Sequence, residues 1–311
     1  MGLSGRWEGR HAAAAAAICA LLLAAACDTT GYGRPIATFQ NAASVVVAAM
    51  RSYLTNLNQV ERDAFIDKQV ASRGELLLGD IRSQEVFSQE GIQARLAALQ
   101  QFSNYCSLLG QLANNDAPQR VAQEAAALGE SVKSLSGTVS SLTHAGDAGF
   151  RGAIGPASSL FGTVAQLALE HKARAALDEA IKNGAQPVGQ LLSAFRRDLH
   201  MAVDRRMEAM SKMRLYYLDR YNEARQKGAA TEVLKQRADD LKTRLDEYET
   251  FIVADPAEAL DAMAKAHAAL LKYAEQKRKS PQTLAELVEA MEAFSARAKR
   301  IGDSVHALRT L

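Results

Sequence analysis

The sequence predicts an all-α fold, an elongated bundle of long antiparallel amphipathic helices with coiled-coil-like packing. Three observations lead there. Alanine supplies 59 of 311 residues, while the chain holds only 6 Pro and 1 Trp. Such a composition favours helix, because Ala gives up no side-chain entropy there and few residues break the backbone ladder. Apolar residues recur at alternating spacings of 3 and 4, which keeps one stripe of a helix facing a partner. No segment alternates in the two-residue period of a half-buried strand, nor gathers the β-branched and aromatic residues that sheets need.

The elements follow in order. Pro35 suits a first helical turn, and Ile36, Phe39, Ala43, Val46, Met50, Tyr53, Leu57, Val60 and Ala64 set the first stripe. Gly74 and Gly79 punctuate what comes next. A second stripe runs from Ile92 through Leu99, Phe102, Cys106 and Leu109 to Ala113. Asp116, Pro118 and Gln119 then supply a cap, a first-turn proline and a capping-box partner. The third stripe is Val121, Ala125, Leu128, Val132, Leu135, Val139 and Leu142. A long run from about Pro187 to Lys227 and another from Leu234 to Ile252 precede two helix starts with clear signals, Asp255-Pro256-Ala257-Glu258 and Ser280-Pro281. The last stripe ends at Leu308. Lys277-Arg278-Lys279 closes a helix, where cations meet the partial negative charge of the final carbonyls.

Composition excludes several classes. A chain with 48% hydrophobic and 23% charged residues is neither wholly disordered nor a polytopic membrane protein. The net charge of +2 falls to +1 when residues 1–26 are removed, 35 basic against 34 acidic side chains. No basic stripe stands out, so nucleic acid is not an expected partner. Catalytic motifs are lacking: no H-E-x-x-H, no G-x-S-x-G, no phosphate-binding loop, and histidines scattered singly. His267 falls on an apolar stripe beside Met263 and Leu270, the place of a core histidine. Arg196-Arg197 and Arg205-Arg206 lie two and a half turns apart, and Asp198, Asp204 and Glu208 are read as neutralising them.

The N-terminus gives an address. Arg6, Arg10 and His11 precede an uncharged apolar run from Ala12 to Ala26, too short to span a bilayer comfortably but right for a secretion signal. The run ends in Leu23-Ala24-Ala25-Ala26-Cys27, which resembles the lipobox of bacterial lipoproteins. The small pair Ala25-Ala26 fits that pattern, whereas its usual leucine stands one place early, at Leu23. The resemblance implies cleavage before Cys27, a thioether from Cys27 to diacylglycerol, and an N-acyl chain on the new terminus. It implies attachment to the membrane and a place in the cell envelope facing the periplasm; with catalytic motifs lacking and packing signals strong, another envelope protein is the expected partner. Asp28 resembles an inner-membrane retention signal, though which membrane is left open. Cys106 then stands alone, on an apolar stripe, which excludes a disulfide framework and a cysteine zinc site.

The expected organisation is a signal over 1–26, a tether over 27–35, a helical half over 36–145, a glycine-rich hinge over 146–156 and a second helical half of the same bundle over 157–311. Gly146, Gly149, Gly152 and Gly155 recur every third residue in the hinge. From Gly152 to Leu169 the chain carries no charge, and as helix it would be about 27 Å long, near the thickness of a bilayer core. This arrangement resembles the membrane-inserting hairpin of α-helical pore-forming toxins, which makes Ile154, Leu160, Phe161, Val164 and Leu167 candidate insertion residues. A central helix surrounded by others would also lack charge. Met207, Met210 and Met213 are similar in spacing to copper-binding methionine motifs, since thioethers are soft ligands suited to Cu(I), but core packing explains two of the three. No catalytic residue and no free cofactor is expected. The reading is of a lipid-anchored binding or scaffold module, with membrane perturbation through 152–169 and copper binding as alternatives.

Overall fold

The structure is a computed structural model that describes residues 31–114, 118–140, 142, 147–170, 173–253 and 256–310. Among these residues there is no strand, and helices cover nearly everything. They are α1 (Gly33–Ser72), α2 (Leu78–Ser83), α3 (Gln89–Ala113), α4 (Pro118–Ser140), α5 (Ala148–Glu170), α6 (Ala173–Gln226), α7 (Thr231–Val253), α8 (Pro256–Ala274) and α9 (Pro281–Thr310). The all-α bundle is as the periodicity requires.

Two layers of helices share a seam. On one side α3, α4, α5 and the first half of α6 pack in sequence, each against the next. On the other, α1 lies between α3 and α9, while α8 bridges α9 and α6. Helices α3 and α6 touch each other and serve both layers, so one continuous apolar core runs from Tyr32 to Ile301. This explains why α3 is buried on nearly every side, including Ala94, Ala98, Leu108 and Leu109. The two halves expected from the sequence are therefore interleaved, with the C-terminal helix α9 seated on α1.

Several boundaries match their signals and others move. Helices α4, α8 and α9 start at Pro118, Pro256 and Pro281, where a missing backbone N–H costs nothing. Ser280 Oγ accepts the Thr283 backbone N–H at 3.2 Å, completing the cap of α9. Helix α6, by contrast, begins 14 residues before Pro187 and carries the proline inside it. An interior proline costs about 3 kcal/mol. Ala176, Leu177, Ala180 and Ile181 before it and Val188 and Leu191 after it form one buried stripe, whose burial offsets that cost. The 54 residues of α6 make a rod about 80 Å long.

The tether is shorter than 27–35. Tyr32 is fully buried and α1 starts at Gly33, because the Tyr32 ring packs edge-on against Tyr273, centroids 4.9 Å apart.

Residues 146–156 also differ from the hinge expected of them. Gly146 lies outside the described residues, but Asp147 is buried and helix α5 starts at Ala148. Gly149, Gly152 and Gly155 thus fall in its first turns. The outward positions Gly152, Thr163 and Gln166 are exposed, while Phe150, Ile154, Phe161, Val164 and Ala165 line the core. The absence of charge reflects small and hydroxylated residues on the solvent side, not an apolar helix on all faces.

Candidate functional site

Polar groups that a bundle buries or gathers are the places where it can do more than pack. The deepest is Arg95, on the inner stripe of α3 and fully buried. Ser88 caps α3 by accepting the Gly91 N–H at 2.8 Å, and donates its hydroxyl to Asp147 Oδ2 at 2.8 Å. Asp147 Oδ1 in turn accepts from Arg95 Nη1 at 2.5 Å. Arg95 Nε donates to Asp198 of α6 at 2.8 Å, and Nη1 also donates to the Gly91 carbonyl at 2.9 Å. Phe87 and Phe150 cover the guanidinium, 3.6 and 4.6 Å from its carbon to the ring centres. Gly91 is required here, since a Cβ would lie 2.1 Å from Asp147 Oδ1. Burial raises the Asp198 pKa from the usual carboxylate value, opposed by Arg95. Arg95 Nη2 is buried without a hydrogen-bond partner, while Nε and Nη1 tie α3 to Asp198 of α6 and to Asp147 at the start of α5.

One level toward the N-terminal end, the Tyr105 hydroxyl and His267 Nε2 share a 2.9 Å hydrogen bond. Burial lowers the His267 pKa to about 4 and raises that of Tyr105 well above 10. Gly184 lets α6 cross the Tyr105 ring, where a Cβ would approach the hydroxyl to 2.4 Å. Cys106, beside it, is buried, and burial pushes its thiol pKa well up from the ordinary thiol value. A neutral, enclosed thiol is a packing group rather than a nucleophile.

A groove of about 490 Å³ opens between the far halves of α1 and α6. Glu61, Phe65 and Lys68 line one wall, Arg205, Glu208, Met213 and Tyr216 the other. Burial raises the Glu61 pKa, with Arg205 pulling the other way, and Glu61 Oε1 is buried without a hydrogen-bond partner. The same end of the molecule carries most of the exposed large aliphatic side chains. Val70, Leu76, Leu77 and Leu78 surround the short helix α2, and Leu215, Leu218, Val233 and Leu245 line the α6–α7 hairpin. Tyr217 Oη reaches Asp67 at 3.5 Å, and Arg214 stacks 3.5 Å from the Tyr248 ring centre, so α1, α6 and α7 are joined here by rim contacts.

The residues singled out by sequence fall in different places. Cys27 lies outside the described residues. Ile154, Phe161 and Val164 are fully buried in the core; Leu160 and Leu167 sit on α5, with side chains outside the described ones. No helix among the described residues is long and apolar enough to cross a membrane. The methionines fan around α6, because a spacing of three advances each by about 60°. Met210 is in the core, Met207 packs at its edge and Met213 lines the groove. Asp198 and Glu208 feel the charges of Arg197 and Arg205 but give their direct contacts elsewhere: Asp198 to Arg95 and Glu208 to Lys212, while Arg196 reaches Asp261 at 3.0 Å. Helix geometry decides this, since sequence neighbours point apart while i,i+4 partners and facing helices meet.

The Arg95 cluster was the main omission. Its signal was in the sequence: Arg95 stands three residues after Ile92 and four before Leu99, a charge on an apolar stripe. These features define an all-α helical bundle with buried polar nodes and one exposed apolar end. No protein-family model, curated protein or solved structure matches the chain.

Proposed function

We propose that this chain is a lipid-anchored helical-bundle protein of the bacterial cell envelope, acting as a binding or scaffold module without catalysis. Cys27 would carry the diacylglycerol and N-acyl chains, and the bundle would face the periplasm. One observation carries the binding reading. The chain that leads back to Cys27 leaves the bundle beside Tyr273, while the exposed aliphatic residues gather about 50 to 80 Å away along α1 and α6. Exposed aliphatic side chains concentrated at one end of a folded chain offer a partner apolar area to bury. Among the described residues, the polar nodes of the core are enclosed: Arg95, Asp147, Tyr105 and His267 are all buried.

A photoreactive residue at Leu215 or Leu78, tested in intact cells, examines this reading. Both sites should give a discrete adduct with an envelope protein, whereas the exposed mid-bundle position Lys133 should not. Equal labelling at all three positions would overturn it. The membrane-inserting alternative would require Ile154, Phe161 and Val164 to leave the core. It predicts dye release from liposomes that is lost in Val164→Asp.

A further inference from the structure

We infer that the turn between α8 and α9, with Lys277 and Arg278 exposed at its corner, rests on anionic phospholipid headgroups and stands the bundle on the membrane by this end. The inference builds on the lipid anchor at Cys27 proposed above, and adds the surface that meets the bilayer.

The seat of Tyr32 fixes the geometry. Its hydroxyl donates to Asp178 Oδ1 at 2.5 Å, and its ring lies edge-on to Tyr273. Lys279 Nζ lies 3.2 Å from Asp178 Oδ1 and 4.9 Å from the Tyr273 ring centre. Gly31 has φ 70°, and a Cβ there would come within 2.9 Å of Tyr273 Oη and 3.2 Å of Leu284. The chain is therefore held against the α8–α9 junction as far back as Gly31. Four peptide steps separate Gly31 from Cys27, a reach of at most about 14 Å. An acylated Cys27 sits at the bilayer surface, so this junction cannot stand far from it. The distal end, tens of ångströms away along α1 and α6, cannot take its place.

Charge suits the surface so placed. Lys279 is committed to Asp178 and to the Tyr273 and Ala274 carbonyls that end α8. Lys277 and Arg278, the two residues before it, are exposed, opposed within the turn only by the exposed Glu275. Arg34, the second residue of α1, has a side chain 84% exposed, with Glu292 at 3.8 Å. Glu286 is occupied by Lys272 at 2.5 Å. The distal hairpin is also basic, through Arg225 and Lys227, so charge alone does not choose an end. The length of the tether does.

The test uses the lipidated protein, isolated from membranes and reconstituted into phosphatidylcholine vesicles with or without phosphatidylglycerol. A fluorophore is attached through Glu275→Cys or, for the distal end, Glu232→Cys, while buried Cys106 stays unlabelled. Energy transfer to a headgroup-bound acceptor reads the distance, and intact mass reads the anchor. The 275 label should be close and the 232 label far, with the difference sharpened by phosphatidylglycerol and reduced by salt. Lys277→Glu with Arg278→Glu should abolish the phosphatidylglycerol dependence. Alanine at both positions should weaken the docked state about 25-fold, near fivefold for each basic residue at an anionic surface. Circular dichroism checks that the variants keep their helices. Equal transfer in wild type and variant, with the lipid mass present, overturns the docking and leaves the anchor standing. A Cys27 without lipid overturns both.

Discussion

At the scale of single residues, the polar groups sealed in the core make stability depend on pH. His267 has its pKa lowered from 6.5 to about 4 by burial. The unfolded chain therefore binds a proton that the folded chain refuses between those values. Stability is full above pH 6.5 and falls on acidification, by about 3 kcal/mol at pH 4. Denaturant titrations should show that loss for the wild type and a flatter profile for His267→Gln over the same window. A parallel course for both would contradict the burial of a neutral imidazole. Arg95→Met should cost about 3–5 kcal/mol, because it leaves Asp147 and Asp198 buried without their cation. The midpoint of urea unfolding measures this at constant slope. His267 and Cys106 were legible in the sequence, since the 3-4 spacing placed both on a stripe. Lys279 was too, as it binds the last carbonyls of α8. The partners of Arg95 were not, because Asp147 and Asp198 lie 52 and 103 residues away in sequence.

At the scale of elements, α5 is the informative helix. Its glycines weaken helix by up to about 1 kcal/mol each relative to alanine. Spacing alone suggested a hinge. The docking of Asp147 on Ser88 and Arg95 supplies what the local propensity lacks, and the helix starts directly after it. A Cβ at Gly149 or Gly152 would meet nothing within 4 Å. Gly152→Ala should therefore raise stability by about 0.5–1 kcal/mol in thermal or urea unfolding; an unchanged or lowered midpoint would restore the hinge. Gly184→Ala should do the opposite, since Tyr105 is held by His267 and cannot yield to the new methyl group. Leu128→Asp, at a fully buried position of α4, should cost several kcal/mol by burying an unpaired charge. Helix starts marked by proline were readable because the signal is local. The start of α6 was not, because burial of one stripe on both sides of Pro187 outweighs the local cost of proline. The tether was misjudged for a similar reason: Tyr32 looks polar and terminal until Tyr273 and Asp178 arrive from helices more than 140 residues away.

At the scale of the whole molecule, period and composition carried the fold class, and pairing of helices carried the rest. Nothing in the stripes says that α9 lies on α1 or that α3 and α6 serve two layers, because every apolar stripe is compatible with every other. The candidate surface was illegible for the same reason. Val70, Leu76 and Leu215 carry no mark in the sequence that sets them apart from other aliphatic residues, and only the arrangement leaves them exposed at one end. The consequence is a polar molecule in the geometric sense, with the N-terminal seat at one end and apolar contacts at the other. Its central claim is that Cys27 ties the first of these ends to a membrane. Intact-mass measurement of the protein recovered from the membrane fraction tests it most directly. The account predicts a chain that begins at Cys27 and carries the added mass of a diacylglyceryl thioether and an N-acyl group, absent from Cys27→Ser. An N-terminus at any other residue, or a Cys27 of unmodified mass, would contradict it.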